Sequence, residues 1–187
     1  MQLLKLVSYY ELHRTIDVNE IFRKNNNYIR TITFYIQMVS DEFKLNTVKP
    51  LFHKIVKAGK WSFDHPSEKD LQTVSQLIKE SFIFLTDNIN NIPASVRNLC
   101  RYLRLLSERK FQDPKLIHRS NFAIILLRYI IPLLIDPSGL GIDPESFAAG
   151  LVLVIHFTKI LLSAGQNQIL IDQHDSDRIL WNPVIEE

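Results

Sequence analysis

Phe122-Ala-Ile-Ile-Leu-Leu-Arg-Tyr-Ile-Ile-Pro-Leu-Leu-Ile135 is the most apolar stretch of the chain, and it contains one arginine, Arg128. A guanidinium keeps its charge in a protein and has five N–H donors, so it enters apolar surroundings only where acceptors meet it. A bilayer-spanning helix needs roughly 20 apolar residues. Phe122–Ile135 and Phe147–Leu162 are both shorter and are interrupted by Arg128, His156 and Lys159, so both read as buried core helices and no membrane span is expected. Whatever fold the chain takes must bring acceptors from elsewhere to Arg128.

The surrounding pattern is helical, without convincing strand alternation. Gln2 to Arg14 forms a first helix, with Leu3, Leu4, Val7, Tyr10 and Leu12 leaning to one face. After a polar break over residues 17–27, helical spacing resumes from Tyr28 to Phe43 through Ile29, Ile32, Ile36 and Val39, and again from Thr47 to Ala58, ending at Gly59. Ser67 with Asp70 three residues on is a variant capping box that opens a long helix to about Asn90. Pro93, Asp113-Pro114 and Asp143-Pro144 mark three further starts, the last helix running to Ala164, and Pro132 is expected to end or kink the Arg128 helix. The expected class is all-α: one helical domain of about seven helices over residues 1–187.

Composition excludes several functions. Twenty-two Lys and Arg against twenty Asp and Glu give a net charge of +2, too balanced for a nucleic-acid binder. A single cysteine, Cys100, rules out an intrachain disulfide framework. With no Asn-x-Ser/Thr acceptor and no signal-peptide plan, a reducing, cytoplasmic compartment is expected. No Gly-x-x-x-x-Gly-Lys phosphate loop is present, the six histidines lack metal-ligand spacing, and no nucleophile elbow organises Ser, His and Asp, so neither cofactor nor metal is expected. Asp172-Gln-His-Asp-Ser-Asp177 reads as a solvated, helix-capping turn, with divalent-cation ligation as the alternative. Any catalysis must act on another protein's substrate.

The polar break gives that idea substance. Phe22-Arg23-Lys24-Asn25 sets an arginine between an apolar anchor and a run of amides, in a connection from which a side chain can project. Downstream follow Ile92-Pro-Ala-Ser-Val-Arg-Asn-Leu-Cys100, Arg109-Lys-Phe111, Leu126-Leu-Arg-Tyr-Ile-Ile-Pro132 and Leu133-Leu-Ile-Asp-Pro137. In that order the segments resemble the catalytic domain of Ras GTPase-activating proteins, the group that includes neurofibromin. That pattern has a Leu-Phe-Arg-x-Asn finger loop, a Pro-x-x-x-Arg-x-x-Cys helix start, a Lys-Phe or Arg-Phe turn, and a Phe-Leu-Arg-Phe helix followed by Asn-Pro-Ala and Ser-Pro. The likeness runs from the first helix to about Trp181-Asn-Pro183, with the finger loop at residues 17–27 and the Phe-Leu-Arg-type helix at 114–131.

The resemblance implies that Arg23 is an arginine finger, inserted in trans into a Ras-family GTPase in its GTP-bound form. A planar fork can bridge two phosphate oxygens where a lysine cannot. It implies that Arg128 holds the finger loop's backbone, and that Phe22, Lys24, Asn25, Leu126, Leu127, Ile131, Pro132, Lys159 and Gln166 lie at the partner-binding groove. GTP and Mg2+ would belong to the partner, the domain would be a monomer without a catalytic site of its own, and recruitment to the inner face of the plasma membrane would come through other domains. Arg97 and Cys100 read as structural, the thiol as a small hydrophobe.

Four positions depart from the pattern. Leu126 replaces its phenylalanine, Ile131 the asparagine before the proline, Leu133 the alanine after it and Asp136 the serine of Ser-Pro. Ile131 cannot make an amide's bonds to a GTPase or to the loop. Besides an active accelerator, the sequence therefore leaves open a weak or inactive GTPase-binding scaffold of the IQGAP kind, and a helical interaction domain unrelated to GTPases.

Overall fold

Local side-chain caps set several helix boundaries in the computed structural model, which describes residues 2–16, 20, 22, 24, 26–59, 61–63, 65–112 and 119–166. Ser67 accepts from the Asp70 amide while the Asp70 carboxylate accepts from the Ser67 amide, and this capping box starts the helix Glu68–Asp87. Asn26 caps Asn27–Val39 by accepting from the Ile29 amide at 3.0 Å. Gly59, at φ +96, takes the left-handed turn just beyond Lys49–Lys57 that a side chain would resist. Among the described residues the structure is helical and contains no strand, in agreement with the all-α expectation. No helix among them is long and apolar enough to cross a membrane. Asp113-Pro114, the start of the 114–131 helix, the 172–177 cluster and Trp181-Asn-Pro183 lie outside the described residues.

The chain forms two compact units, each built from two separate stretches. In the first, Met1–Phe43 with Asn90–Ile130, the helix Gln2–Arg14 packs on Asn27–Val39 and on Ala94–Phe111, and Asn27–Val39 packs on Ala123–Ile130. Its core joins Ile29, Ile32 and Ile36, a helical stripe, to Val96, Leu99, Leu103, Ile124 and Tyr129. Burying such side chains contributes about 1.5–3 kcal/mol each relative to exposure, the main drive holding the helices together.

In the second unit, Lys44–Ile89 with Ile131–Glu187, Lys49–Lys57 packs against Ala148–Gln166, against Glu68–Asp87 and against the short 3-10 helix Pro137–Leu140. Val48, Leu51, Phe52 and Ile55 meet Val154, Phe157, Ile160 and Leu161 in its core. Gly150 allows a close approach there, since a Cβ at that position would stand 3.1 Å from Val56 Cγ1.

One helix face and three boundaries differ from the sequence expectation. The first helix buries Leu4, Ser8, Glu11 and Leu12, while Leu3 is 65% and Tyr10 44% exposed. Polar side chains hold inward positions because each brings its own partner: the Ser8 hydroxyl donates to the Leu4 carbonyl at 2.7 Å, and Glu11 accepts from Asn26. The helix expected from Tyr28 to Phe43 breaks at Ser40, and Thr47 belongs to a π-turn, Lys44–Val48, that precedes the next α-helix. Pro132 does not end its helix. Residues Ala123–Ile130 adopt the wider π register, and α-helix continues through Ile131–Ile135. A proline ring crowds the carbonyl one turn earlier, and a wider preceding turn relieves that crowding.

Replacing Ser67 by alanine should cost about 1 kcal/mol in urea unfolding followed by circular dichroism. The amide and hydroxyl of Ser67 hold the Asp70 carboxyl below its ordinary range. A folded-state pKa below the unfolded one stabilises above about pH 4 and loses that contribution as pH falls through the lowered value. The stability difference between wild type and Asp70→Asn should therefore shrink on acidification.

Candidate functional site

The polar connection between the first two helices is pinned by side chains from distant parts of the same unit. At its entry, the Thr15 amide and hydroxyl both return to the Glu11 carbonyl, at 3.1 and 2.8 Å, and close the helix. The Lys110 ammonium donates to the His13 carbonyl at 2.9 Å and to those of Leu12 and Thr15. At its exit, Asn26 Nδ2 donates to Glu11 Oε2 at 2.6 Å while Asn26 Oδ1 caps the following helix. Glu11 is only 3% exposed, so this buried carboxylate fixes the residue on which the loop ends.

Arg128 reaches the middle of the loop. Its Nε donates to the Phe22 carbonyl at 2.6 Å and its Nη2 to the Lys24 carbonyl at 3.2 Å. Phe22 is fully buried and has φ +55, a left-handed conformation that costs a non-glycine residue roughly 1–2 kcal/mol. Ring burial and the charge-assisted bond from Arg128 together hold that conformation. Burial lowers the Arg128 pKa, while the negative charge of Glu11 opposes the shift. The guanidinium is half-buried rather than sealed in the core. Next along the chain, the Tyr129 hydroxyl donates to the Ser40 carbonyl at 3.0 Å, and burial pushes its pKa up to about 12. Neighbouring residues thus hold the loop before Asn27–Val39 and the cap that closes that helix.

Arg23 and Asn25 lie outside the described residues. In sequence, Arg23 stands between the two residues whose carbonyls Arg128 holds. Lys24 is exposed and pairs with Glu20 at 2.7 Å, a contact that raises its pKa. Phe22, Leu126 and Ile131 are buried and contribute packing through their side chains, whereas Leu127 is half-buried and Pro132 exposed. Lys159 is half-buried in the second unit, its ammonium 6.0 Å from the Phe63 ring centroid. Gln166 ends the helix Ala148–Gln166, and its side chain is outside the described residues.

Arg97 donates to the Asn90 carbonyl at 2.9 Å and to that of Ile92, tying down the turn before its helix. Burial pushes the Cys100 thiol up to about 11, leaving almost no thiolate at neutral pH. The roles of Glu11, Asn26 and Lys110 were not read from the sequence. Lys110 makes its bonds to residues 95 to 98 positions earlier, and no local pattern announces such a pairing.

Residues 60–150 match the model of a family described as RasGAP, GTPase-activator protein for Ras-like GTPase. Two curated relatives come from Saccharomyces cerevisiae. Inhibitory regulator protein IRA2 is 19% identical over 158 residues, 81% of this chain, and inhibitory regulator protein IRA1 is 23% identical over 166 residues, 84% of this chain. The chain spans 5% of the length of each relative.

Arg128→Ala should lower the unfolding free energy by about 1–3 kcal/mol, because two carbonyls lose a charged donor. Arg128→Lys, which cannot fork to both, should recover only part of the loss. Urea titration of the three proteins checks the order; equal stability of all three would show that the bonds contribute nothing.

Proposed function

Because the chain belongs to the RasGAP family, we propose that it accelerates GTP hydrolysis by a Ras-family GTPase and that Arg23 supplies the arginine finger in trans. The observation that carries this reading is the pair of bonds from Arg128 to Phe22 and Lys24, which hold the backbone on both sides of residue 23. Phosphoryl transfer in such a GTPase spreads charge over the γ-phosphate oxygens, and a guanidinium placed there before the reaction stabilises that charge without reorganising. Arg128 acts as a positioning residue in this scheme: its Nε and Nη2 donate to the carbonyls of Phe22 and Lys24, and Arg23 between them is the residue proposed to meet the partner. GTP and Mg2+ belong to the partner, which is engaged in its GTP-bound form, and the activating domain acts as a monomer over residues 1–187. Of the residues assigned to the partner-binding groove, Lys24 and Pro132 are exposed and suited to direct contact, with Leu127 and Lys159 partly so.

The second reading, a scaffold that binds a GTPase without accelerating it, draws on Ile131 and Leu133. Both side chains are buried in apolar surroundings, so no amide is offered from position 131. The intact arginines favour the accelerator.

Single-turnover hydrolysis by a panel of GTP-loaded Ras-family GTPases separates the two. A trans arginine is worth about 10³–10⁵ in turnover, a value that belongs to Ras, its activators and related GTPases as a class. Arg23→Ala should remove nearly all acceleration with the melting temperature unchanged. Equal acceleration by wild type and Arg23→Ala would sink the finger assignment. Binding to a GTPase–aluminium fluoride complex without acceleration by wild type would favour the scaffold.

A further inference from the structure

We propose that Lys110 is a second positioning residue for the finger loop, acting at its entry as Arg128 acts at its centre. The inference rests on the activator reading above.

The helix Gln2–Arg14 ends with carbonyls that have no helical donor, as every helix does. Thr15 takes up the Glu11 carbonyl through its amide and hydroxyl. The Leu12 carbonyl is shared between the Thr15 amide and Lys110, the His13 carbonyl goes to Lys110, and the same ammonium takes the carbonyl of Thr15, beyond the helix end. Three donors meet three acceptors, so the ammonium is fully used by backbone. Lys110 as a residue is exposed, yet desolvation lowers its pKa, in keeping with an ammonium set among carbonyls. The cation also faces the negative end of the helix dipole.

Geometry gives this cap a role beyond closing a helix. Thr15 is the last residue Lys110 holds and Phe22 the first that Arg128 holds, with residues 16–21 between them. A chain tethered at both ends of so short a stretch samples far fewer paths than one tethered at a single end. Without Lys110, Thr15 keeps its own bonds to the carbonyls of Glu11 and Leu12, but its carbonyl loses its tether, and the segment before Phe22 samples more paths. Residue 23 would then reach its place in the partner less often. Lys110 touches neither substrate nor partner in this scheme; it acts through the backbone, so its loss should reduce the maximal rate rather than the affinity.

The test uses the full chain as Lys110→Met, which keeps the stem and removes the charge, and Lys110→Arg, which restores charge and donors. Single-turnover hydrolysis is measured against increasing activator concentration, with amide hydrogen exchange on each protein alone. The expected result for Lys110→Met is a saturating rate about tenfold lower, a half-saturating concentration changed less than twofold, and faster exchange confined to residues 12–26; Lys110→Arg should recover part of both. An unchanged saturating rate overturns the proposal. So does a rate loss that accompanies faster exchange throughout the chain, because that reports general destabilisation. If the wild type accelerates no GTPase, the activator reading fails separately. In that case localised exchange in Lys110→Met still supports the tether, and unaltered exchange over residues 12–26 overturns it.

Discussion

The first unit depends on a cation meeting main-chain oxygen across a long sequence separation. Arg128 and Phe22 are 106 residues apart, and their bond joins the two stretches from which the unit is built. Helix propensity alone would leave the loop before Asn27–Val39 free to take many paths. The guanidinium restricts that freedom by donating from Nε to the Phe22 carbonyl and from Nη2 to the Lys24 carbonyl. It also secures Phe22 in a backbone conformation that phenylalanine resists. Burial of the Phe22 ring then becomes compatible with a turn at the same residue.

Charge burial in this unit follows one pattern throughout. Glu11, Lys110 and Arg128 each leave bulk water partly or fully, and each has hydrogen-bonding partners at the boundaries of Gln2–Arg14 or Asn27–Val39, or in the loop between them. The neutral Tyr129 hydroxyl and the exposed Arg97 guanidinium likewise donate to main-chain carbonyls, of Ser40 and Asn90. Apolar packing selects which helices meet. The polar side chains decide where the connections between them run, since buried carbonyls without donors would cost as much as good packing returns.

Much of the architecture was legible because its signals are local. Ser67 and Asp70 lie three residues apart, and the stripe of Ile29, Ile32 and Ile36 repeats with the helix period, so neighbouring positions carry the information. Arg128 was legible in a weaker sense: its apolar setting showed that partners must exist, and the order of the motifs suggested the loop around Arg23. Where reading by period failed, a polar residue occupied the inward face. Ser8 and Glu11 break the apolar count of the first helix, and so Leu3 and Tyr10 were assigned inward in their place. The π register before Pro132 was illegible for a different reason. Proline tells of a conflict with α geometry but not how the chain resolves it, and a widened turn satisfies the conflict as well as a stop does.

The bonds from Arg128 to Phe22 and Lys24 both go to main-chain oxygens. A support that reads carbonyls is blind to side chains. Lys24 and the residues flanking it can drift in identity while the path of the loop is retained, because every amino acid presents the same oxygen. The chemistry a loop performs and the shape in which it is held are then separable in heredity. Under the proposed function, an acting side chain could be exchanged at one position without rebuilding the scaffold that presents it.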